Sequence, residues 1–164
     1  MDTSKLLEYL RKHRLMTLST YDEGPWVSTV YYAVHEDLNL YFISDPSSNH
    51  CQHIAKNPQI SCAIADSRQK VTDKKTGVQL KGQVSYLADP AKIQKVLAMW
   101  NTANPGFEQV INFENMEKGV IKSKVYKITP TYIKFLNEEL YGPEGFKEFK
   151  FTQHPNAPLV RTRV

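Results

Sequence analysis

The chain has 164 residues, of which 41% are hydrophobic and 23% charged, and a formal net charge of +4. That length suits one domain with a core needing no disulfide or metal, and the composition excludes disordered, collagen-like and coiled-coil classes. The 21 basic and 17 acidic residues form no positive stripe, which argues against a nucleic-acid partner and leaves room for a small anion at one focused site.

Cys51 and Cys62 are the two cysteines, too few for a disulfide framework. No apolar run reaches the roughly 18 residues of a membrane helix. The N-terminal residues lead into an amphipathic stretch unlike a signal peptide. The expectation is a soluble, cytoplasmic protein with no membrane partner, forming a single domain over residues 1–164.

Residues 3–13 read as a short helix with Leu6, Leu7 and Leu10 on one face, forming an N-terminal segment over 1–14. From Leu15 the hydrophobic period becomes two. Strands are expected over 15–20, 26–34 and 38–44, with turns at Asp22-Glu23-Gly24 and His35-Glu36-Asp37, which makes a meander. Asp45-Pro46 breaks the third strand, and a helix over 49–56 ends at Asn57-Pro58.

A fourth strand over 59–66 alternates Ile60, Cys62 and Ile64 against Ser61, Ala63 and Ala65. The fifth, over 77–87, sets Val78, Leu80, Gly82 and Val84 against Gln79, Lys81 and Gln83. A helix starts at Asp89-Pro90 and runs to about Trp100, and a shorter one is expected over 107–113. A strand over 125–136 carries Pro130, which cannot donate to a ladder and predicts a bulge or bend. Residues 146–151 read as a last strand. The pattern gives a mainly β fold with peripheral helices, a six- to seven-stranded antiparallel barrel over 15–136 with a C-terminal extension over 137–164.

The segment Asp45-Pro-Ser-Ser-Asn-His50 carries the most chemistry. It places hydroxyls, an amide and an imidazole where a strand ends and a helix begins, and a helix start offers unpaired N–H groups to an anion. The competing reading is an ordinary N-cap with solvated neighbours. His50 and His53 share a helical face, but no third and fourth ligand recurs at a suitable spacing, so no metal site is expected. Cys62 reads as core. Lys81 projects with Gln79 from the fifth strand, and Gly82 allows a close approach. Trp26, Trp100, Tyr31 and Tyr32 read as core or interface anchors.

The order of these elements, with Asp45-Pro-Ser-Ser-Asn-His-Cys-Gln-His-Ile-Ala-Lys-Asn-Pro58 and Gly77-Val-Gln-Leu-Lys-Gly82, resembles the pyridoxamine 5′-phosphate oxidase-like family with its FMN-binding split barrel. The resemblance covers about residues 3–136. It implies a homodimer with flavin at the subunit interface. The isoalloxazine ring would lie against Ser28, Thr29, Val30 and Tyr31, and the ribityl phosphate against Ser44, Asp45, Ser48, Asn49 and His50. Gln79 and Lys81 would add polar groups, and Trp100 is the candidate from the later helix of the partner.

Many relatives carry Arg or Lys where this chain has Ser48, Asn49 and His50. An unprotonated His supplies only a neutral donor, a loss that Lys81 would offset. The leading expectation is an FMN-dependent oxidoreductase of unknown substrate, with a small redox substrate and a nicotinamide donor as partners. The flavin would carry the redox chemistry, and no side chain presents itself as a catalytic acid or base. The alternatives are a non-catalytic flavin or haem carrier, an F420-dependent reductase, or a structural barrel without cofactor.

Overall fold

A computed structural model describes residues 3–152 and 160–162. Its elements in chain order are α1 (Ser4–Lys12), β1 (Leu15–Tyr21), β2 (Pro25–Val34), β3 (Leu40–Ser44), α2 (Asn49–Lys56), β4 (Gln59–Ile64), β5 (Thr76–Tyr86), α3 (Pro90–Ala103), α4 (Phe113–Glu117), β6 (Lys124–Asn137), α5 (Glu138–Tyr141), β7 (Phe146–Thr152) and β8 (Val160–Thr162). The strands run in the order β3-β2-β1-β4-β5-β6-β7-β8, and a further β3–β6 pairing closes the first six into an antiparallel barrel. The mainly β barrel expected from the period-two segments is therefore the fold, with β7 and β8 continuing the sheet beyond β6.

Alternation fills the barrel. Leu18, Cys62 and Leu80 face inward on adjacent strands and are buried, as a closed sheet with one apolar face requires. α1 adds Leu6, Tyr9 and Leu10 to this core, and α2 adds Cys51 and Ile54. Burial raises the Cys62 thiol to about 12, so it behaves as a small core hydrophobe. A second apolar cluster forms outside the barrel, where Val96 and Leu97 of α3 meet Val125, with Tyr41 and Ile43 packed against it.

β6 is long enough to serve both ends of the closure. Its first half pairs with β3 from Leu40↔Ile128 to Ser44↔Lys124, and it pairs with β5 along its length, with a register shift between Lys81 and Gly82 opposite Pro130. The bulge expected at Pro130 is present. Gly82 does permit a close approach, and what approaches is backbone. A Cβ there would lie 2.7 Å from the Thr129 carbonyl oxygen, closer than real side chains tolerate, so glycine is required where β6 bends.

Several boundaries differ from the periodic reading. Leu38 adopts φ 67° in the turn after His35, which delays β3 to Leu40. The short helix expected over 107–113 begins instead at Phe113, because the Asn112 side chain accepts from the Asn115 N–H and caps it there. α5 was not anticipated, although Asn137 caps it by accepting from the Glu139 and Leu140 N–H groups.

Candidate functional site

The end of β3, the turn after it and the start of α2 converge on one imidazole. Extended backbone over β3 ends at Ser44, and Asp45-Pro46 turns the chain. The Asp45 carboxylate accepts from the Ser47 N–H at 2.8 Å and the Ser47 hydroxyl at 2.7 Å. These bonds hold that carboxyl below its ordinary range and engage Ser47 fully. α2 then begins at Asn49 with Ser48 in extended geometry, yet no side chain caps it. The Ser48 hydroxyl turns back and donates to the Asp45 carbonyl at 2.7 Å. The ordinary N-cap is thus absent at the place where the sequence offered one, and the first N–H groups of α2 have no side-chain acceptor.

His50 sits among hydroxyls from three elements. Its Nε2 lies 2.8 Å from Ser44 Oγ and 3.2 Å from Ser48 Oγ, and its Nδ1 lies 3.1 Å from Ser28 Oγ on β2. Trp26 Nε1–H donates to the same Ser28 oxygen at 3.0 Å. The buried Phe42 ring backs the imidazole at 6.3 Å and stacks on Tyr126 at 5.0 Å. Cys51 is buried beneath. Burial pushes its thiol up, but hydrogen bonding to His50, Ser48, Tyr126 and Ser44 outweighs that and leaves it below its ordinary value. Burial, and then the neighbouring Cys51, push the Tyr126 phenol up.

The anticipated site residues fall into two groups, with Val30 and Trp100 in neither. Ser28, Ser44, Asp45, Ser48, Asn49 and His50 gather at the start of α2, with Asn49 exposed. Thr29 and Tyr31 point to the opposite side of β2, the outer face. There the register runs Thr29, Thr17, Ala63, Gln79 along one row and Val27, Ser19, Ser61, Lys81 along the next.

Lys81 therefore stands three strand spacings from β2, roughly 14 Å away. Gln79 lines a cavity of about 530 Å³ with Lys134 and Phe146. Val30 is buried inside the barrel, and Trp100 is buried behind β2, its indole N–H donating to the Tyr31 carbonyl at 3.4 Å. Trp26 and Cys51 join the imidazole through contacts that the sequence did not single out. Another cavity, about 660 Å³, lies at the far end of β2 between α1 and α3 and touches none of these residues. Among the described residues no group of His, Cys, Asp or Glu is placed to hold a metal, and no helix is long and apolar enough to cross a membrane.

A closed six-stranded antiparallel barrel with a few peripheral helices is the split-barrel architecture. Residues 3–137 match the family model described as Pyridoxamine 5′-phosphate oxidase, and the chain belongs to that family. Among solved structures it is similar to a conserved hypothetical protein from Mycobacterium tuberculosis, with a TM-score of 0.70 and 16% identity over 87% of this chain and 89% of that one.

It is also similar to a heme binding protein from Mycobacterium smegmatis, with a TM-score of 0.67 and 18% identity, covering 88% of this chain and 57% of that one. A nimc/nima family protein from Clostridium acetobutylicum gives a TM-score of 0.64 and 15% identity, over 89% of this chain and 90% of that one. At these identities the likeness concerns the fold alone. No curated protein matches the chain.

Proposed function

We propose that the protein is an FMN-binding oxidoreductase of the split-barrel class, acting on a small redox substrate, with the flavin held at a homodimer interface. The observation that carries this reading is the uncapped start of α2 beside Ser44, Ser48 and His50. A terminal phosphate fits the N–H groups of that helix start, which no side chain caps, beside an imidazole able to gain charge and with the Asp45 carboxylate turned onto Ser47. When bound, FMN supplies the electron-transfer chemistry. The chain's own residues bind and orient it.

Two features support a two-fold partner. The outer face of β1 and β2 carries Leu15, Tyr21, Val27 and Tyr31 well exposed, Val27 at 61% and Tyr31 at 56%, among Thr17, Ser19 and Thr29, large apolar side chains of the kind that interfaces cover. Within one chain the Gln79 and Lys81 side chains also lie on a different face from the His50 cluster. A partner's outer face is the means of bringing both groups to one ligand.

Titration with FMN and with riboflavin tests the reading. FMN is expected to bind at least 10-fold more tightly, because riboflavin lacks the phosphate that charge-assisted donors hold; equal affinities would overturn the assignment of the α2 start. A Soret band in the purified protein would select the haem carrier instead. Sedimentation over a dilution series should show a dimer tightened by FMN, and a monomer retaining stoichiometric FMN would rule out the shared site.

A further inference from the structure

The hydrogen bonds around His50 have one consistent direction. Trp26 Nε1–H is a donor only, and it donates to Ser28 Oγ. At the other end the Asp45 carbonyl is an acceptor only, and it takes the Ser48 hydroxyl proton. With that proton committed, a proton on the 3.3 Å contact between Ser44 and Ser48 can come only from Ser44. Ser44 then has no proton left for the imidazole, so the 2.8 Å contact is donated by His50 Nε2–H. In a neutral ring Nδ1 is consequently bare and accepts from the Ser28 hydroxyl at 3.1 Å. The opposite tautomer leaves the Ser44–Ser48 and Ser48–Nε2 contacts without a proton between them and strips the Ser28 hydroxyl of its acceptor.

We infer that Ser28, anchored by Trp26, is a positioning residue that holds His50 as the Nε2–H tautomer, and that a phosphate ligand at the α2 start brings one proton onto His50 Nδ1. The inference rests on the α2 start being the phosphate site. A phosphate dianion needs positive charge close by. The titratable groups of the cluster are the Cys51 thiol on α2, the Tyr126 phenol on β6 and the Asp45 carboxylate in the turn, on which the Lys122 charge acts, while Lys124 pairs with Ser44 along β6.

Inside the hydrogen-bonded cluster the one atom able to gain positive charge is Nδ1, which the chain of donors leaves unprotonated. On charging, the ring takes one proton from solvent. The Ser28 hydroxyl proton rotates away, and its oxygen accepts from both Nδ1–H and Trp26, which its two lone pairs allow.

Two measurements test this. Long-range ¹H–¹⁵N spectra of the ligand-free protein, with the His50 signals assigned by His50→Gln, should show Nε2–H and a bare Nδ1; an Nδ1–H ring would overturn the relay. FMN calorimetry in buffers of different ionisation enthalpy should then show close to one more proton taken up by wild type than by His50→Lys. The flavin phosphate's own proton contributes equally to both.

Ser28→Ala should weaken FMN by roughly 10-fold and shrink that proton difference, and Ser28→Thr should restore both. Equal uptake in wild type and His50→Lys, with FMN bound by both, would overturn the proton step while leaving the proposed function intact. Failure of either protein to bind FMN would overturn the phosphate-site reading and the proton step together, with the tautomer still judged by the spectra.

Discussion

Two helices of this protein follow an Asp-Pro pair, and the chain uses the pair in opposite ways. At α3 the Asp89 side chain accepts from the Ala91 and Lys92 N–H groups, with Pro90 in the first turn, so the start is closed by its own residue. At α2 the Asp45 carboxylate is taken by Ser47, the helix begins later at Asn49, and Ser48 withholds its hydroxyl. The same dipeptide produces a sealed terminus in one place and an open one in the other. What separates them is the Ser47 hydroxyl, a second claim on the carboxylate, and the Ser48 N–H, which turns to the Asp45 carbonyl where the Lys92 N–H meets the Asp89 side chain. A helix start capped by its own side chain has little left to offer a ligand, so the difference marks where binding is to be sought.

The comparison breaks most sharply if α2 is sealed in the manner of α3. Ser48→Asp places a carboxylate at the N-cap, where it should raise stability slightly and oppose a phosphate by about 3 kcal/mol, on the order of 100-fold in FMN affinity. Unchanged affinity would show that the open terminus is not the anion site. A smaller effect is expected on the outer face. Lys81→Ala should weaken FMN by about 1–3 kcal/mol if the ammonium reaches the ligand across an interface, and an unchanged dissociation constant in a folded variant would return Lys81 to solvent. The smallest effect on binding belongs to α3. Asp89→Ala should cost about 1 kcal/mol in urea denaturation while FMN titrates as in wild type, and a loss of FMN affinity there would remove the contrast.

Much of this was legible in the chain. Asn49–Lys56 could be bounded from Asp45-Pro46 on one side and Asn57-Pro58 on the other, and the strict alternation of Ile60, Cys62 and Ile64 fixed which side of β4 is buried. Pro130 announced the bend in β6. Elements resting on side-chain caps, such as the Asn112 start of α4, were harder to place, because a cap is settled by a local competition that periodicity does not register.

The site divides along similar lines. The hydroxyls and imidazole after β3 were visible as a segment. The Ser28 contact was not, since it depends on β2 and β3 pairing and on where α2 rests against β1 and β2. Period two already required Ser28 and Val30 to face away from Thr29 and Tyr31, so four consecutive residues of one strand cannot share a single ligand-facing side.

The β3–β6 ladder that shuts the barrel ends at the Ser44↔Lys124 rung, so the hydroxyl that meets His50 hangs on the last stitch of the seam. End rungs of a ladder open most readily. Anything that engages Ser44 acts as a clasp there, and its presence would be written into the amide-exchange rates from Leu40 to Ser44, a record of occupancy kept by the backbone itself.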